Sequence, residues 1–251
     1  MPSSPTLVLV VPCFNEEARL DPRAFLDFAA SHPAVHLLFV DDGSDDGTPR
    51  VLEGLKAHAP GAIDVIHLAA NQGKAAAVRE GTMAGLRLTP GLVGFWDADL
   101  STPLDAVDDF VALAARRPDV DIILGSRVML MGRDIYREAW RHYIGRVFAT
   151  GVSLSLGLPV YDTQCGAKVF RANEATAAVF AQPFHSPWIF DVEVLARYLA
   201  LPAGPGEPAR RDRIYELVVS KWHHVPGSKL RWTDFVRAVY ELVYIHHKYR
   251  R

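Results

Sequence analysis

Four short apolar runs, each closed by polar residues and separated from the next by a stretch of helical character, fix most of what this chain can fold into. Residues 6–11 form an unbroken β-branched and leucine run ending at Pro12, residues 36–40 repeat the pattern before Asp41 and Asp42, and residues 63–68 and 92–96 supply two more. Apolar runs without alternation belong to strands buried on both faces, the situation of a parallel sheet. Between them, residues 21–30 place Phe25, Leu26, Phe28 and Ala29 at helical spacing. Residues 45–58 predict a helix capped by Asp45 or Asp46 with Val51, Leu52 and Leu55 on one face, and residues 74–88 predict another. A helix over 106–115 and a strand over 122–125 continue the series. Regular alternation across residues 1–125 predicts an α/β fold with an open, Rossmann-like, mostly parallel sheet flanked by helices.

Ligands of such sheets collect at the C-terminal ends of the strands. That rule predicts one crevice shared by residues 12–17, 41–44 and 97–101, the most polar strand exits in the chain. Asp97 and Asp99, two residues apart just past a strand, are hard oxygen ligands suited to Mg²⁺ or Mn²⁺ on a diphosphate, or else a solvated acidic turn. Carboxylates at Asp41 and Asp42 repel phosphate, so their task is either hydrogen bonding to a base or ribose or turn chemistry. Asn71-Gln72-Gly73-Lys74 opens a helix, where backbone N–H groups, the helix dipole and a lysine favour an anion; the alternative is a surface lysine.

Taken in order, Pro12-Cys13-Phe14-Asn15-Glu16-Glu17, Asp41-Asp42-Gly43-Ser44, Asn71-Gln72-Gly73-Lys74 and Asp97-Ala98-Asp99 resemble the family-2 glycosyltransferases of GT-A fold. Gly125-Ser126-Arg127, the run from Asp162 to Lys168, Phe190-Asp191-Val192-Glu193, and Trp222 with Gly227-Ser228-Lys229-Leu230 resemble the dolichyl-phosphate glucosyltransferases within it. The resemblance covers about residues 6–245 and departs at Ala75-Ala76, where the family often has two glycines. It implies a single GT-A domain over residues 1–251, with a nucleotide-sugar half (1–125) and an acceptor half (126–251). It also implies a donor site of Pro12, Asn15, Glu16, Asp41, Asp42, Lys74, Asp97 and Ala98, and a metal held by Asp97 and Asp99. The implied reaction is transfer of a hexose, by resemblance glucose from UDP-glucose, to a polyprenyl or dolichyl phosphate.

Such an acceptor is already anionic near neutrality, because a phosphomonoester's second pKa is about 6, so it requires no general base. It does require cations, and Arg127, Arg141, Lys168 and Lys229 are the candidates. A sugar-hydroxyl acceptor would instead need a carboxylate base, for which Asp191 or Glu193 is placed, unless both are structural. Asp99, Arg127 and Asp191 are thus the expected catalytic residues. A nucleotidyltransferase would want a Gly-rich phosphate loop near the first strand, where this chain has Pro12 to Glu17; a non-catalytic nucleotide-sugar binding module would not need Asp97 and Asp99.

Charge is distributed unevenly. Residues 1–125 hold 9 Lys/Arg against 18 Asp/Glu, and residues 126–251 hold 18 against 11, so the second half suits an anionic partner. Phosphate and lipid head groups are expected there, and nucleic acid is not. Arg133, Arg137 and Arg141 recur with Tyr136, Trp140, Tyr143, Ile144, Val147 and Phe148 interleaved. Trp232, Phe235, Val236, Val239, Leu242 and Val243 form a second amphipathic stripe before a basic end. These C-terminal helices are expected to lie on a membrane surface, or to pack on the sheet or in a homodimer. No leader and no spanning helix is read in the sequence, so the expected location is cytoplasmic, peripheral on the inner face of the membrane. Cys13 and Cys165 match no metal spacing and read as small buried hydrophobes.

Overall fold

The computed structural model describes residues 6–128, 131, 134–135, 139–204, 206–223, 225 and 232–249, with backbone alone for 134, 139–144 and 232–236. In chain order the elements are β1 (Leu7–Cys13), α1 (Pro22–Ser31), β2 (Val35–Asp41), α2 (Thr48–His58), β3 (Ile63–His67), α3 (Lys74–Leu86), β4 (Leu92–Trp96), α4 (Ala106–Arg116) and β5 (Ile122–Ser126). The second half adds β6 (Asp134–Ile135), α5 (Ala139–Leu156), β7 (Ala167–Arg171), α6 (Glu174–Phe180), α7 (Phe190–Ala200), β8 (Ile214–Val218), β9 (Lys221–Trp222) and α8 (Trp232–Tyr249). They group into two compact units, one of residues 1–100 and 166–183, the other of 101–165 and 184–251.

In the first unit the strands run β3-β2-β1-β4-β7, the first four parallel and β7 antiparallel to β4. Leu7 to Val11 of the central strand are wholly buried, each such side chain contributing about 1.5–3 kcal/mol of transfer free energy. α3 lies against β1 through small buried residues, Ala75, Ala77, Gly81 and Gly85, which let helix and strand approach closely. On the other side of β2, Phe25 of α1 meets Phe39 edge-on with ring centroids 5.0 Å apart. Asp21 caps α1 by accepting from the amides of Arg23 and Ala24.

Two expectations are corrected in this unit. α2 begins at Thr48, not Asp45; its N-cap is Gly47, and the Asp46 carboxylate accepts from the Thr48 amide just outside the helix. The antiparallel β7 was not expected, because Lys168 interrupts what would otherwise be an apolar run.

The helix and strand that continue the alternating series, α4 and β5, belong to the second unit. In it, β5 pairs in parallel with β8, and β6 in parallel with β9. α7 and α8 pack together and exchange carboxylates: Glu241 of α8 accepts from the Ile189 amide at the start of α7 (3.2 Å), while Glu193 of α7 accepts from the Tyr249 hydroxyl of α8 (2.9 Å). α5 meets α8 where Ser155 Oγ lies 3.1 Å from His246 Nδ1. Of the stripe that runs from Arg133 to Phe148, residues 139–148 lie in α5. Among the described residues no helix is long and apolar enough to cross a membrane. Neither cysteine forms a disulfide, and both are buried.

Phe39 is fully buried in β2, and Phe39→Ala is expected to cost about 3–5 kcal/mol, as large-to-small aromatic truncations do. Urea denaturation checks this; a loss under about 1 kcal/mol would contradict the packing described.

Candidate active site

The exits of β1 and β2 are stitched together. Cys13 and Asp41 are register partners, and beyond them the Asp42 amide donates to Cys13 O (2.8 Å) and the Asn15 amide to Ser44 Oγ (3.0 Å). Asn15 Oδ1 accepts in turn from the Asp45 amide (3.0 Å), Thr48 Oγ1 from the Glu16 amide (2.8 Å), and Glu17 Oε2 from the Gly47 amide (2.9 Å). Asn15 has a positive φ of 54°, a conformation asparagine tolerates better than most residues. Gly43 sits at φ +66°, and a Cβ there would lie 2.5 Å from the backbone carbon of Ala70, so only glycine lets this turn press against residues 70–71.

Asp42, 2% exposed, spends both oxygens on that neighbouring turn, accepting from the amides of Gln72 (2.8 Å) and Gly73 (2.7 Å). Burial nonetheless raises its carboxyl above the usual range, against the lowering effect of those two amides. The turn is thereby fixed so that Lys74 leads α3 and places Nζ 2.5 Å from Asp97 Oδ1. Asp97 follows β4 directly. Its amide donates to Gly166 O (3.0 Å), and a Cβ at Gly166 would fall 1.8 Å from Asp97 Oδ2. Ala98 is buried, and Leu100, at φ 51°, closes the turn by donating its amide to Asp97 O (3.2 Å). Glu16, 9% exposed and paired with Arg19, has its carboxyl raised first by burial, with Arg19 opposing and Asp99 and Asp97 adding to the rise. Glu16 therefore feels both carboxylates of the β4 exit.

This donor set fits a hard divalent cation. Mg²⁺ is commonly held by one or two carboxylates with substrate phosphates and water completing the shell, so a ready-made protein cage is not required. Among the described residues no group of three or more His, Cys, Asp or Glu is arranged around one ion. Asp97 and Asp99 follow β4 two residues apart, and the charge of Lys74 already stands beside Asp97.

Asp41 is 3% exposed and also engaged: Oδ1 accepts from the Ser44 amide (3.1 Å) and Oδ2 lies 2.9 Å from His67 Nδ1. The other ring nitrogen of His67 lies 2.9 Å from Glu53 Oε1 of α2. Hydrogen bonds to Asp41 and Glu53 hold the His67 pKa above its ordinary value, more than partial burial lowers it. Neither His67 nor Glu53 stands out in the sequence; the one available signal was a histidine at the end of the strand beside the Asp41-Asp42 exit.

In the second unit, Arg127 follows β5 and grips Asp162, with Nε at 2.6 Å from Oδ2 and Nη2 at 2.8 Å from Oδ1, while its guanidinium lies 5.4 Å from the Trp222 ring. Asp191 is buried in the first turn of α7. Glu193 is withdrawn from the list of candidate bases. It is wholly buried, and it accepts from the amides of His185 and Ser186 (2.8 Å each), from Arg197 Nη2 (2.8 Å) and from Tyr249. Lys168, in the first unit, is withdrawn as an acceptor-phosphate ligand. β7 pairs it with Phe95, its Nζ lies 5.0 Å from that ring, and none of it is exposed. Lys229, Arg133, Tyr136 and Arg137 lie outside the described residues, as do the side chains of Arg141, Trp140, Tyr143, Ile144, Trp232, Phe235 and Val236.

Residues 8–174 match the family model described as "Glycosyl transferase family 2". A dolichyl-phosphate beta-glucosyltransferase of Trichomonas vaginalis is 27% identical over 97% of this chain and 72% of its own length. A polyprenol monophosphomannose synthase of Mycolicibacterium smegmatis is 31% identical over 68% of this chain and 63% of its own. In fold, the chain is similar to glucosyl-3-phosphoglycerate synthase from Mycobacterium tuberculosis, solved with Mn²⁺ and UDP-glucose. That likeness has a TM-score of 0.65 and 16% identity, over 95% of this chain and 77% of that one.

Two outcomes are expected. The raised His67 pKa means that its stabilising contribution is fully present below an unfolded histidine's value of about 6.5 and is lost as pH rises through the higher folded value. The stability gap between wild type and His67→Gln, from urea titrations, should therefore be larger near about pH 6 than near about pH 9; a gap independent of pH would contradict the pairing. Gly166→Ala should displace the Asp97 carboxylate and cut turnover at least about tenfold, with the melting temperature measured alongside to separate this from unfolding.

Proposed function

The chain belongs to glycosyl transferase family 2, and from that premise we propose that it is an inverting hexosyltransferase carrying glucose from UDP-glucose to the phosphate of a polyprenyl or dolichyl chain. As a glycosyltransferase of GT-A fold it must bind a nucleotide-sugar and release its diphosphate. The observation that carries the reading is the meeting of Lys74, Asp97, Asp99 and Glu16 at the exit of β4, where a diphosphate and a hard cation can share opposite charges. The lipid acceptor and glucose are supported by likeness to the dolichyl-phosphate beta-glucosyltransferase over almost the whole chain.

In this reading the whole chain acts as one transferase domain. The β1 and β2 exits, with Pro12, Asn15, Glu16, Asp41 and Asp42, shape the nucleoside side. Because Asp41 and Asp42 are already bonded to their own loops, they act mainly by fixing the backbone that meets the donor. Asp97 and Asp99 would hold Mg²⁺ or Mn²⁺, which when bound neutralises charge developing on the leaving diphosphate. Lys74 adds a cation on the same side. The acceptor phosphate oxygen forms a bond to the anomeric carbon while the bond from that carbon to the diphosphate oxygen breaks, inverting the centre. The acceptor is ionised beforehand, so no proton is moved in this step. Arg127, with Arg141 and Lys229, would pair with the acceptor phosphate and lower the cost of bringing two anions together. Asp191 is the candidate base only for a hydroxyl acceptor. Val147 and Leu154 of α5 and Val239, Tyr240 and Val243 of α8 are exposed, which supports these helices resting on the membrane surface that carries the acceptor.

Turnover of radiolabelled UDP-glucose with a short polyprenyl phosphate in detergent tests the proposal. Label should enter the organic phase with Mg²⁺ or Mn²⁺, stop with chelator, and fall at least about 100-fold in Asp99→Ala. Donor hydrolysis with no lipid product would overturn the acceptor assignment, and equal turnover by Asp99→Ala would overturn the role of that residue.

A further inference from the structure

Behind the Arg127–Asp162 pair stands a carboxylate with no part in the steps above. Glu216 of β8 accepts from the Tyr161 amide (2.9 Å to Oε2, 3.1 Å to Oε1) and from the Asp162 amide (2.7 Å to Oε1). Asp162 then accepts from Arg127 through Nε, Nη2 and the backbone amide (3.0 Å), and from the Gln164 amide (3.2 Å). Both ends of this chain of bonds return to one rigid strand pair. Arg127 is the residue after β5, Glu216 lies within β8, and the two strands pair in parallel with Leu124 opposite Glu216. Residues 157–160, which lead into the turn, line a cavity of about 330 Å³ with Leu124, Ile214 and Glu216, so the Glu216 side chain reaches the turn across the edge of that cavity. Asp162 is therefore tied to the strands from two sides, by the Arg127 backbone amide after β5 and by the Glu216 carboxylate of β8. Both side chains of the ion pair are largely enclosed, 17% and 8% exposed, where small displacements of a guanidinium fork change what it can grip.

We infer that Glu216 is a positioning residue for the acceptor phosphate, setting the place and orientation of the Arg127 guanidinium through Asp162. This rests on the reading of Arg127 as a phosphate-binding residue. A residue acting through Arg127 alters recognition of the acceptor and not of the nucleotide-sugar, and it does so only while Arg127 is present.

The test is a double-mutant cycle on the full chain, reading KM for a short polyprenyl phosphate and for UDP-glucose separately. Glu216→Ala should raise the acceptor KM about tenfold, the effect of a lost hydrogen bond to a charged group, and leave the donor KM unchanged. Glu216→Gln, which keeps one acceptor oxygen, should fall between. In an Arg127→Ala background neither change should raise the acceptor KM further. Equal rises in both KM values, or losses that add to that of Arg127→Ala, would overturn the inference. If Glu216→Ala does not fold, the Gln variant in the same cycle decides. An Arg127→Ala enzyme with an unchanged acceptor KM would overturn the reading of Arg127 and this inference with it. A raised KM in Arg127→Ala but not in the Glu216 variants would overturn the inference alone.

Discussion

The carboxylate of Asp42 joins two of the strand-exit turns of the first unit. Buried to within 2% of full enclosure, it receives the amides of Gln72 and Gly73 at 2.8 and 2.7 Å, bonds to a charged acceptor of the kind worth about 1.5–3 kcal/mol each. Through them the exit of β2 is welded to the start of α3, so the position of Lys74, and with it the Lys74–Asp97 pair, follows from β2. Gly43 is the steric condition for that weld, because any side chain there would strike Ala70. The parallel register of β1 with β2 and β4 supplies the rest, bringing three strand exits to one end of the sheet.

Many of the acids in the chain act in this way, as acceptors of backbone and arginine donors and not as chemistry. Glu17, Asp46 and Asp41 hold loops in the first unit. In the second, Glu193, Glu216 and Glu241 do the same, and Asp121 binds Tyr198 and Arg213. A carboxylate can receive several donors at once, which makes it the efficient strut wherever turns must be built without regular hydrogen bonding. What distinguishes the β4 exit is that Asp97 and Asp99 add to the rise that burial imposes on the Glu16 carboxyl, a concentration of negative charge that a cation would relieve.

The first four strands and three helices were legible because continuous apolar runs and helical spacing are local signals, and the clustering of strand exits followed from topology. The start of α2 was misread because Asp45 and Asp46 look like caps, whereas Pro49 in the first turn and the Asp46–Thr48 bond put the helix start at Thr48. Lys168 was misread because a strand residue buried against an aromatic ring is indistinguishable, by type, from a ligand lysine. Glu193 went the same way: by residue type it stands beside Asp191 as a base or a structural acid, and only the fold shows both its oxygens consumed. His67, Glu53 and Glu216 escaped notice because their partners lie 14 to 55 residues away in the chain, and such pairings exist only after folding.

The central claim is that the nucleophile is a phosphate oxygen that arrives already ionised. Its most direct test is a side-by-side assay of one polyprenyl phosphate and the corresponding free polyprenol, each with UDP-glucose and Mg²⁺ under the same detergent conditions. The account predicts glycosylation of the phosphate and none of the alcohol. Comparable transfer to the alcohol would contradict it, because that reaction requires a base the phosphate does not need.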